Sequence, residues 1–353
     1  MLTPLIPIAV VLDLAGASAG LVFATSALGI VPTAALMGRA TEELAARSGP
    51  GVGGLLNVTF GNAPELIIAL FALGQGLHEV VKASIVGSII GNILLVMGAA
   101  MLFGGIGREK QLFSRTSASV QTSMLLLAAA ALVMPAIFEL VEGKGLPAPG
   151  AEIVDYSSTV EHLSLAVAIV LALTYVAGLF FSLKTHRDIF NPEYSDEGTR
   201  GWSTRTSVLA LAVAGVLVGV MSEILVGSIS EASHAIGLSE FFIGVIVVAI
   251  VGNAAEHWVA VLVARKDKMD LSVNIAIGSS AQVALFVAPI LVLASFFLGP
   301  HPLALVFNGF ELGAILIAIL IANYVTQDGE STWFEGLQLL AVYAVFGLAF
   351  YYA

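Results

Sequence analysis

Two acidic residues stand inside otherwise apolar stretches of the sequence, each at the end of the same kind of motif. Glu65 ends a Gly-Asn-Ala-Pro-Glu motif, and 191 residues later Glu256 ends a Gly-Asn-Ala-Ala-Glu motif. A charge at the centre of a bilayer costs at least about 2.5–3.5 kcal/mol, so such residues are functional by default. A protonated carboxyl kept for packing is the alternative, and it is less expected for two matching positions. We therefore expect Glu65 and Glu256 to bind a cation or protons.

Amides and hydroxyls accompany both glutamates. Asn62 and Asn253 each precede their glutamate by three residues, which places the pair on one helix face. Gly61 and Gly252 precede the asparagines, and a helix broken there frees backbone carbonyls for a cation. Polar residues then recur at helical spacing in each half: Ser84, Ser88 and Asn92, and later Ser272, Ser279 and Gln282. We expect these stripes to face the glutamates, although close helix packing explains the serines equally well.

These residues predict an all-oxygen site. Oxygen ligands suit hard cations, and Ca²⁺ takes 6–8 of them in flexible geometry. Two carboxylates match a divalent ion, or they bind protons when the ion leaves. Competition between Ca²⁺ and protons for one pair of carboxylates is a physical basis for antiport. His257 follows Glu256 directly, and a proton relay, a partner of the site or a structural histidine are equally open roles for it.

The rest of the chain must position these residues in a membrane. Of its 353 residues 58% are hydrophobic and 11% charged, which excludes a soluble enzyme, a disordered chain and a nucleic-acid binder. Long Leu, Ala and Val runs favour an all-α polytopic protein over a β-barrel. Hydropathy predicts eleven helices, near residues 3–18, 20–46, 51–75, 79–104, 116–137, 159–183, 205–231, 239–264, 271–297, 302–325 and 332–352. The first could be a signal peptide, but no Lys or Arg precedes it, so we favour a retained helix.

Lysine and arginine positions predict the orientation. Twelve of the fourteen fall in loops on one side of the eleven-span arrangement, and only Lys82 and Lys144 fall on the other. Because cytoplasmic loops are rich in these residues, we expect a multi-pass plasma membrane protein with a cytoplasmic N-terminus and an extracytoplasmic C-terminus.

The two motifs indicate an internal repeat. Gly87-Ser88 and Gly278-Ser279 match at the same offset as the glutamate motifs, so 21 residues separate the paired motifs in both halves. The motif-bearing helices are five spans apart and cross the bilayer in opposite senses, as in the inverted repeats of secondary transporters. We expect an N-terminal extra helix at 1–19, five-helix repeats at 20–183 and 205–353, and a cytoplasmic linker at 184–204.

Other acidic residues support weaker interpretations. Those near helix ends could line an access path, although capping or interface placement is the simpler explanation for most: Glu42, Glu43, Glu223, Glu231 and Glu240. Glu311 and Glu335 belong to the same class. The acidic loop at 139–162 could concentrate cations or be solvated surface.

Taken together, the motifs resemble the Ca²⁺/cation–proton exchanger (CAX) family of the cation/Ca²⁺ exchanger superfamily. The similar stretches cover residues 53–69, 251–257, 278–283 and 328–333. The resemblance implies that Glu65 and Glu256 are the cation- and proton-binding carboxylates, with Asn62, Asn253, Ser88, Ser279 and Gln282 nearby. It also implies alternating access by movement of the second and seventh helices. Na⁺/Ca²⁺ exchangers carry Gly-Thr-Ser where this chain has Gly-Asn-Ala, which favours H⁺ as the coupling ion.

The sequence therefore predicts a Ca²⁺/H⁺ antiporter, with Ca²⁺ as substrate and no cofactor. Its partners are Ca²⁺, H⁺ and the lipid bilayer, not nucleic acid, and a homo-oligomer is compatible with the sequence. A Na⁺- or K⁺-coupled exchanger, a Mn²⁺ exchanger and a passive cation channel stay open as alternatives. An enzyme is not expected, because no HExxH, P-loop or nucleophile elbow occurs.

Overall fold

The computed structural model describes residues 2–150, 159–185 and 201–353, and these residues are mostly helical. Its helices are α1 Leu5–Leu14, α2 Ala19–Gly61, α3 Ala63–Gly74, α4 His78–Gly105, α5 Arg115–Val141, α6 Thr159–Phe180, α7 Thr204–Ile236, α8 Glu240–Gly252, α9 Ala254–Arg265, α10 Met269–Ser295, α11 Gly309–Val325 and α12 Trp333–Tyr352. Two short strands, β1 Gln111–Leu112 and β2 Glu330–Ser331, pair antiparallel. Within the described ranges, seven helices are long and apolar enough to cross a membrane, and two bent pairs raise the number to nine. The chain is a multi-pass membrane protein.

Both motif-bearing helices are broken at the asparagine. The two helical pieces meet at 43° around Asn62 and at 59° around Asn253. A proline inside a helix usually interrupts it, but Pro64 lies in the first turn of α3, where proline is tolerated because that N–H has no helical partner. The second break has Ala255 at the matching place. The break therefore belongs to the asparagine position rather than to the proline.

The Gly-Pro-Gly sequence at 49–51 was predicted to separate two helices. Helical geometry continues through it to Gly61, although the apolar span long enough to cross a membrane ends at Ser48, close to the predicted end at 46. The helix nevertheless turns back on itself there. A Cβ on Gly53 would overlap the carbonyl oxygen of Ala45, which a straight helix would hold about 12 Å away. The punctuation in the sequence marks a sharp bend.

Two further predicted spans differ from the structure. Helix α1 has 10 residues instead of sixteen, because it starts after Pro4 and ends before Gly16, whose φ is +65°. The predicted helix at 302–325 begins at Gly309, where Asn308 and Glu311 form a capping box. Residues 303–307 are buried without being helical. Their N–H groups find side chains instead, since Leu303 donates to Ser295 Oγ at 2.7 Å and Leu305 to Ser164 Oγ at 3.0 Å.

Helices α4 and α10 form the centre of the bundle. In their most apolar windows 83% and 72% of residues are buried, against 17% in α6 and in α12. Each central helix contains a π-helical segment, at Gly91–Val96 and at Val283–Val287, next to the predicted polar stripe. Helices α2 and α7 pack along one another beside this centre. The predicted linker at 184–204 lies outside the described residues from 186 to 200.

Candidate functional site

Glu65 lies in the first turn of α3 and is buried. Its Oε1 accepts hydrogen bonds from the Ser88 hydroxyl on α4 and from the Asn253 amide at the second break. Asn253 Nδ2 also donates to the carbonyl of Ala249 at 2.9 Å, which fixes the amide on its own helix. One carboxylate oxygen thus ties three elements from both halves of the chain.

Glu256 occupies the matching place in α9, and it is half-buried. Its Oε2 accepts from Ser279 Oγ on α10 at 2.5 Å. The predicted neighbours Ser88 and Ser279 therefore hold equivalent positions, one on each glutamate.

Each glutamate packs against the glycine of the other motif. A Cβ on Gly61 would lie 2.9 Å from Glu256 Oε1, and a Cβ on Gly252 would lie 2.8 Å from Glu65 Cγ. These glycines were expected to contribute carbonyls. The structure gives a further reason for glycine at these positions, because a side chain at either one would push the glutamate of the other motif away. The two motifs cross one another at the site.

The remaining predicted amides lie in two pairs, one between two amides and one between an amide and His257. Asn62 Nδ2 donates to Gln282 Oε1 at 2.5 Å, and His257 Nε2 lies 3.2 Å from Asn92 Oδ1. The other polar atoms of Asn62 and Asn92, Oδ1 and Nδ2, are buried and have no hydrogen-bond partner in the described part of the chain. His257 is thus attached to the polar stripe of α4 rather than to either carboxylate.

Helix ends contribute to the electrostatics of the site. Both glutamates lie in the first turn after a break, where backbone N–H groups lack helical partners and the helix dipole favours negative charge. The site therefore holds carboxylates, amides and hydroxyls, the ligand types that hard cations prefer. Within the described ranges no group of three or more His, Cys, Asp or Glu side chains could hold a resident metal ion. This chemistry suits a cation in transit.

The predicted access-path residues have different surroundings. Glu42, Glu223 and Glu231 are exposed, and Glu240 lies in the first turn of α8. Glu43 is buried, and its Oε2 accepts from the backbone N–H of Trp202 at 3.2 Å. Capping, the simpler explanation, is confirmed for Glu311 and Glu335, which both form capping boxes.

Lys82 was counted as a loop charge, and that prediction is wrong. It is a buried residue of α4, paired with Glu79, and its Nζ donates to the carbonyl of Val306 at 3.1 Å. Only its sequence position about one turn inside an apolar helix hinted at burial. Ser272, which was expected in the second stripe, is buried, and its hydroxyl has no partner in the described part of the chain.

Comparisons with known proteins agree with this architecture. The family model described as "Sodium/calcium exchanger protein" matches residues 18–184 and 206–352. A Ca²⁺/H⁺ antiporter of Aphanothece halophytica is 45% identical over 350 residues, which cover 94% of this chain and 90% of that protein. The solved structure of native YfkE superposes with a TM-score of 0.84 at 37% identity and 100% coverage of both chains. An H⁺/Ca²⁺ exchanger CAX structure shares the fold, with a TM-score of 0.73 at 17% identity over 98% of this chain and 86% of that one. The chain belongs to the sodium/calcium exchanger protein family.

Proposed function

We propose that this chain, a member of the sodium/calcium exchanger protein family, is a secondary active antiporter that exports cytosolic Ca²⁺ in exchange for protons. The observation that carries the proposal is the crossing of the two motifs: Glu65, bonded to Ser88 and Asn253, packs against Gly252, and Glu256, bonded to Ser279, packs against Gly61. The name of the Aphanothece relative, a Ca²⁺/H⁺ antiporter, supports the same ion pair.

The chemistry of exchange follows from the two carboxylates. When both are ionised they match the charge of one Ca²⁺, with Asn62, Asn92, Asn253, Ser88, Ser279 and Gln282 supplying further oxygens. When the cation leaves, the buried carboxylates take up protons, because an uncompensated charge in an apolar interior is costly. Ca²⁺ and protons therefore exclude one another from the site, which couples their movement.

We propose that the site lies between two inverted five-helix repeats, in an eleven-span arrangement with a cytoplasmic N-terminus. Several observations support the repeat: the family model matches two long stretches, residues 18–184 and 206–352, and both motif helices break at the same asparagine. The repeats would cover 20–183 and 205–353, with the extra helix at 1–19. The excess of Lys and Arg on one side of the membrane supports the orientation.

Alternating access would move α2 and α7 against the central helices. These two helices pack along one another, so they can shift together. In α2 the moving part would be the predicted second span, 20–46, because residues 55–61 belong to the first broken motif helix. Such a shift would expose the site to one side of the membrane at a time.

The proposal is tested with purified protein in liposomes that have an acid interior. Uptake of ⁴⁵Ca²⁺ should require the pH gradient, stop when nigericin and K⁺ collapse it, and raise the internal pH. Uptake driven instead by internal Na⁺ or K⁺ would assign the chain to alkali-cation exchange. Uptake without any gradient of a second ion would indicate a channel. Liposomes containing the Glu65→Gln/Glu256→Gln double variant serve as the matched control.

A further inference from the structure

A stripe of half-buried residues runs along the central helix α10. Its members recur every four residues on one slowly winding face, and we call them the α10 ladder: Asp270, Asn274, Gly278 and Gln282. Most of the residues between them are buried. The ladder spans about 18 Å of helix, from the first turn of α10 to Gln282, which bonds Asn62 at the candidate site. In the proposed orientation it begins at the cytoplasmic end.

Helix α5 faces the ladder with polar groups. Ser117 Oγ and Gln121 Nε2 both donate to Asn274 Oδ1, each at 2.8 Å. At the first turn, Asp270 Oδ1 accepts from the backbone N–H of Ser114 at 2.7 Å. Polar groups are costly at a lipid-facing surface, where nothing can replace their hydrogen bonds. The ladder therefore borders a cleft inside the bundle rather than the lipid.

One amide oxygen in this cleft has no donor. Gln121 Oε1 is buried and has no hydrogen-bond partner among the described residues. It faces Gly278, at 3.4 Å from the position that a Cβ would take there, and it is the only side-chain atom of the described residues within 4 Å of that position. A buried oxygen without a donor is costly, so a further partner is expected in the space beside Gly278. Gln121 is not one of the proposed Ca²⁺ ligands, so that site does not account for this oxygen.

The first half of the chain carries no amide at the matching places. The positions in α4 that match the ladder are Glu79, Ala83, Gly87 and Gly91. Ala83 is fully buried, and a Cβ on Gly244 of α8 would lie 2.9 Å from its Cβ. Because this face of α4 is covered by α8, the internal repeat does not explain an amide at position 274. A need at the other end of the molecule explains it better.

The chemistry of the cleft fits a cation. Amide and carboxylate oxygens are the ligands that hard cations prefer. The N–H groups of Gln121 are turned to Asn274, so the glutamine presents an acceptor to the space beside Gly278. An anion would find no donor in this side chain. One amide oxygen cannot replace the 6–8 oxygen ligands of Ca²⁺, so the ion would pass with most of its water still bound.

We propose that Gln121 is a transit contact for Ca²⁺ on the cytoplasmic path, with Asn274 as the positioning residue that turns its oxygen toward the ladder. Ca²⁺ passes Asp270, exchanges part of its water for Gln121 Oε1 and then reaches Gln282 at the site. No proton takes part in this step. The proposal rests on the proposed Ca²⁺ transport and orientation, but it does not depend on which ion is the coupling ion.

The test compares a transport rate with an equilibrium. Gln121→Met removes the oxygen at similar volume, and Asn274→Leu removes the acceptor that orients it. Both should slow Ca²⁺-for-⁴⁵Ca²⁺ self-exchange in liposomes at low Ca²⁺ about tenfold, the effect of one lost contact to a charge. Every exchange cycle uses this path, so the orientation in the liposome does not matter. Equilibrium ⁴⁵Ca²⁺ binding to the purified protein should stay within about twofold, because the site itself is intact.

Two conservative variants separate this role from helix packing. Gln121→Glu keeps an oxygen beside Gly278 and should keep the rate, whereas a glutamine needed only for its N–H groups could not be replaced in this way. Asn274→Asp keeps the acceptor for Gln121 and should restore exchange. Thr122→Val is the matched control, because Thr122 is the next residue of α5, is buried and donates to the carbonyl of Ala118 in its own helix.

Water access to the ladder is measured independently, in a chain without any cysteine. Asn274→Cys should react with the cationic thiol reagent MTSET in the purified protein. Ala83→Cys, at the matching buried position, should react about tenfold more slowly or less. An unreactive Asn274→Cys would place the ladder out of reach of water and overturn the proposal.

The transport results decide the rest. Equal self-exchange in Gln121→Met and Thr122→Val would overturn the transit contact. A tenfold loss of equilibrium binding in Gln121→Met would overturn it too, because Gln121 would then be a ligand of the site. Absence of pH-driven uptake in the unmodified protein, with self-exchange present, would overturn only the proposed coupling to protons. Absence of both Ca²⁺ binding and self-exchange would overturn the proposed function and the transit contact with it.

Discussion

The two glutamates share a motif but not an environment. Glu65 is buried, and its Oε1 receives two donors, one of them from the other half of the chain. Glu256 is half-buried, and among the described residues only Ser279 donates to it. The amides explain the difference, since Asn253 reaches across to Glu65 whereas Asn62 bonds Gln282 instead of Glu256.

Gly87 in α4 and Gly278 in α10 hold matching positions in the two central helices, and their surroundings also differ. A Cβ on Gly87 would overlap the backbone of Val245, because α4 lies directly on α8. A Cβ on Gly278 would meet only Gln121 Oε1 within 4 Å among the described residues, at 3.4 Å. One central helix is therefore in backbone contact with the opposite motif helix, whereas the described residues show no such contact for the other.

These contrasts describe one state of an alternating device. If the halves are inverted repeats, equal sequences in unequal surroundings are what a molecule closed at one end and open at the other must have. The closed end carries residues 75–77 and 299–308, where Gly299 lies against the carbonyl of Leu73. In the proposed orientation that end is extracytoplasmic, so we propose that this state faces the cytoplasm.

The largest expected effect comes from neutralising either glutamate. Glu65→Gln and Glu256→Gln should each lower pH-driven ⁴⁵Ca²⁺ uptake about 100-fold or more. Removing one charge from a buried charge cluster costs about 3–5 kcal/mol, and each 1.4 kcal/mol is tenfold. Glu109→Gln, which changes an exposed loop residue, should transport normally. Uptake above a tenth of the unmodified rate in either site variant would contradict a shared site.

Alanine at the two glycines should shift the molecule in opposite directions. Gly87→Ala overpacks the closed contact at a cost of about 1–3 kcal/mol, so it should favour opening of that end by about tenfold. Gly278→Ala should instead favour the present state, because the crowding would arise in the opposite one. The reporter is Ala69→Cys, at a buried position of α3 one turn after Glu65, in a chain without any cysteine.

Maleimide should therefore label Ala69→Cys faster in the Gly87→Ala background and no faster in the Gly278→Ala background. Equal acceleration in both backgrounds would mean that the two glycines act only on stability, and that the proposed equivalence of the halves fails.

The sequence predicted the members of the site better than their arrangement. Apolar context singled out Glu65 and Glu256, and helical spacing added Ser88 and Ser279, which the structure brings to them. Identical motif letters could not reveal that Asn253 and Asn62 choose different partners. That choice is a property of packing between distant segments.

Two errors of the sequence analysis have one physical origin. Residues 303–307 are apolar and were predicted to be helical, and Lys82 was assigned to a loop. In the structure the backbone of this segment donates hydrogen bonds to Ser295 and Ser164 and accepts one from Lys82. Side chains far apart in sequence make the hydrogen bonds that a helix or water would otherwise supply to this backbone. The periodicity of apolar residues does not predict such long-range hydrogen bonds.

Replacing the two asparagines should weaken Ca²⁺ binding to different extents, because they donate to different acceptors. Asn253→Ala removes a donor to a carboxylate, a bond of about 1.5–3 kcal/mol, and Asn62→Ala removes a neutral bond of about 0.5–1.5 kcal/mol. The Ca²⁺ concentration for half-maximal self-exchange should change about tenfold or more in the first variant and about threefold in the second. The reverse order would show that the network drawn here is not the one that binds the cation.

The smallest effect is expected at the exposed ion pair near the strands. Lys110 Nζ lies 2.7 Å from Glu330, and hydrogen bonding to this carboxylate raises the pKa of Lys110 above its ordinary 10.5. A lysine pKa raised by folding stabilises the protein below 10.5, and that contribution is lost as pH rises through the raised value. Because both side chains are well exposed, water screens the pair, and Lys110→Met should leave uptake within about twofold.

Thermal unfolding in detergent, followed between pH 8 and pH 11, checks the sign of this contribution. Any stability gap between Lys110→Met and the unmodified protein should be present at pH 8, narrow toward pH 11 and shrink in high salt. A gap that widens with pH would mean that Glu330 is not the partner that matters. Lys82 differs from Lys110 in solvent access. Lys82 is buried, pairs with Glu79 and also donates to the carbonyl of Val306, so bulk water does not reach it to replace a lost partner.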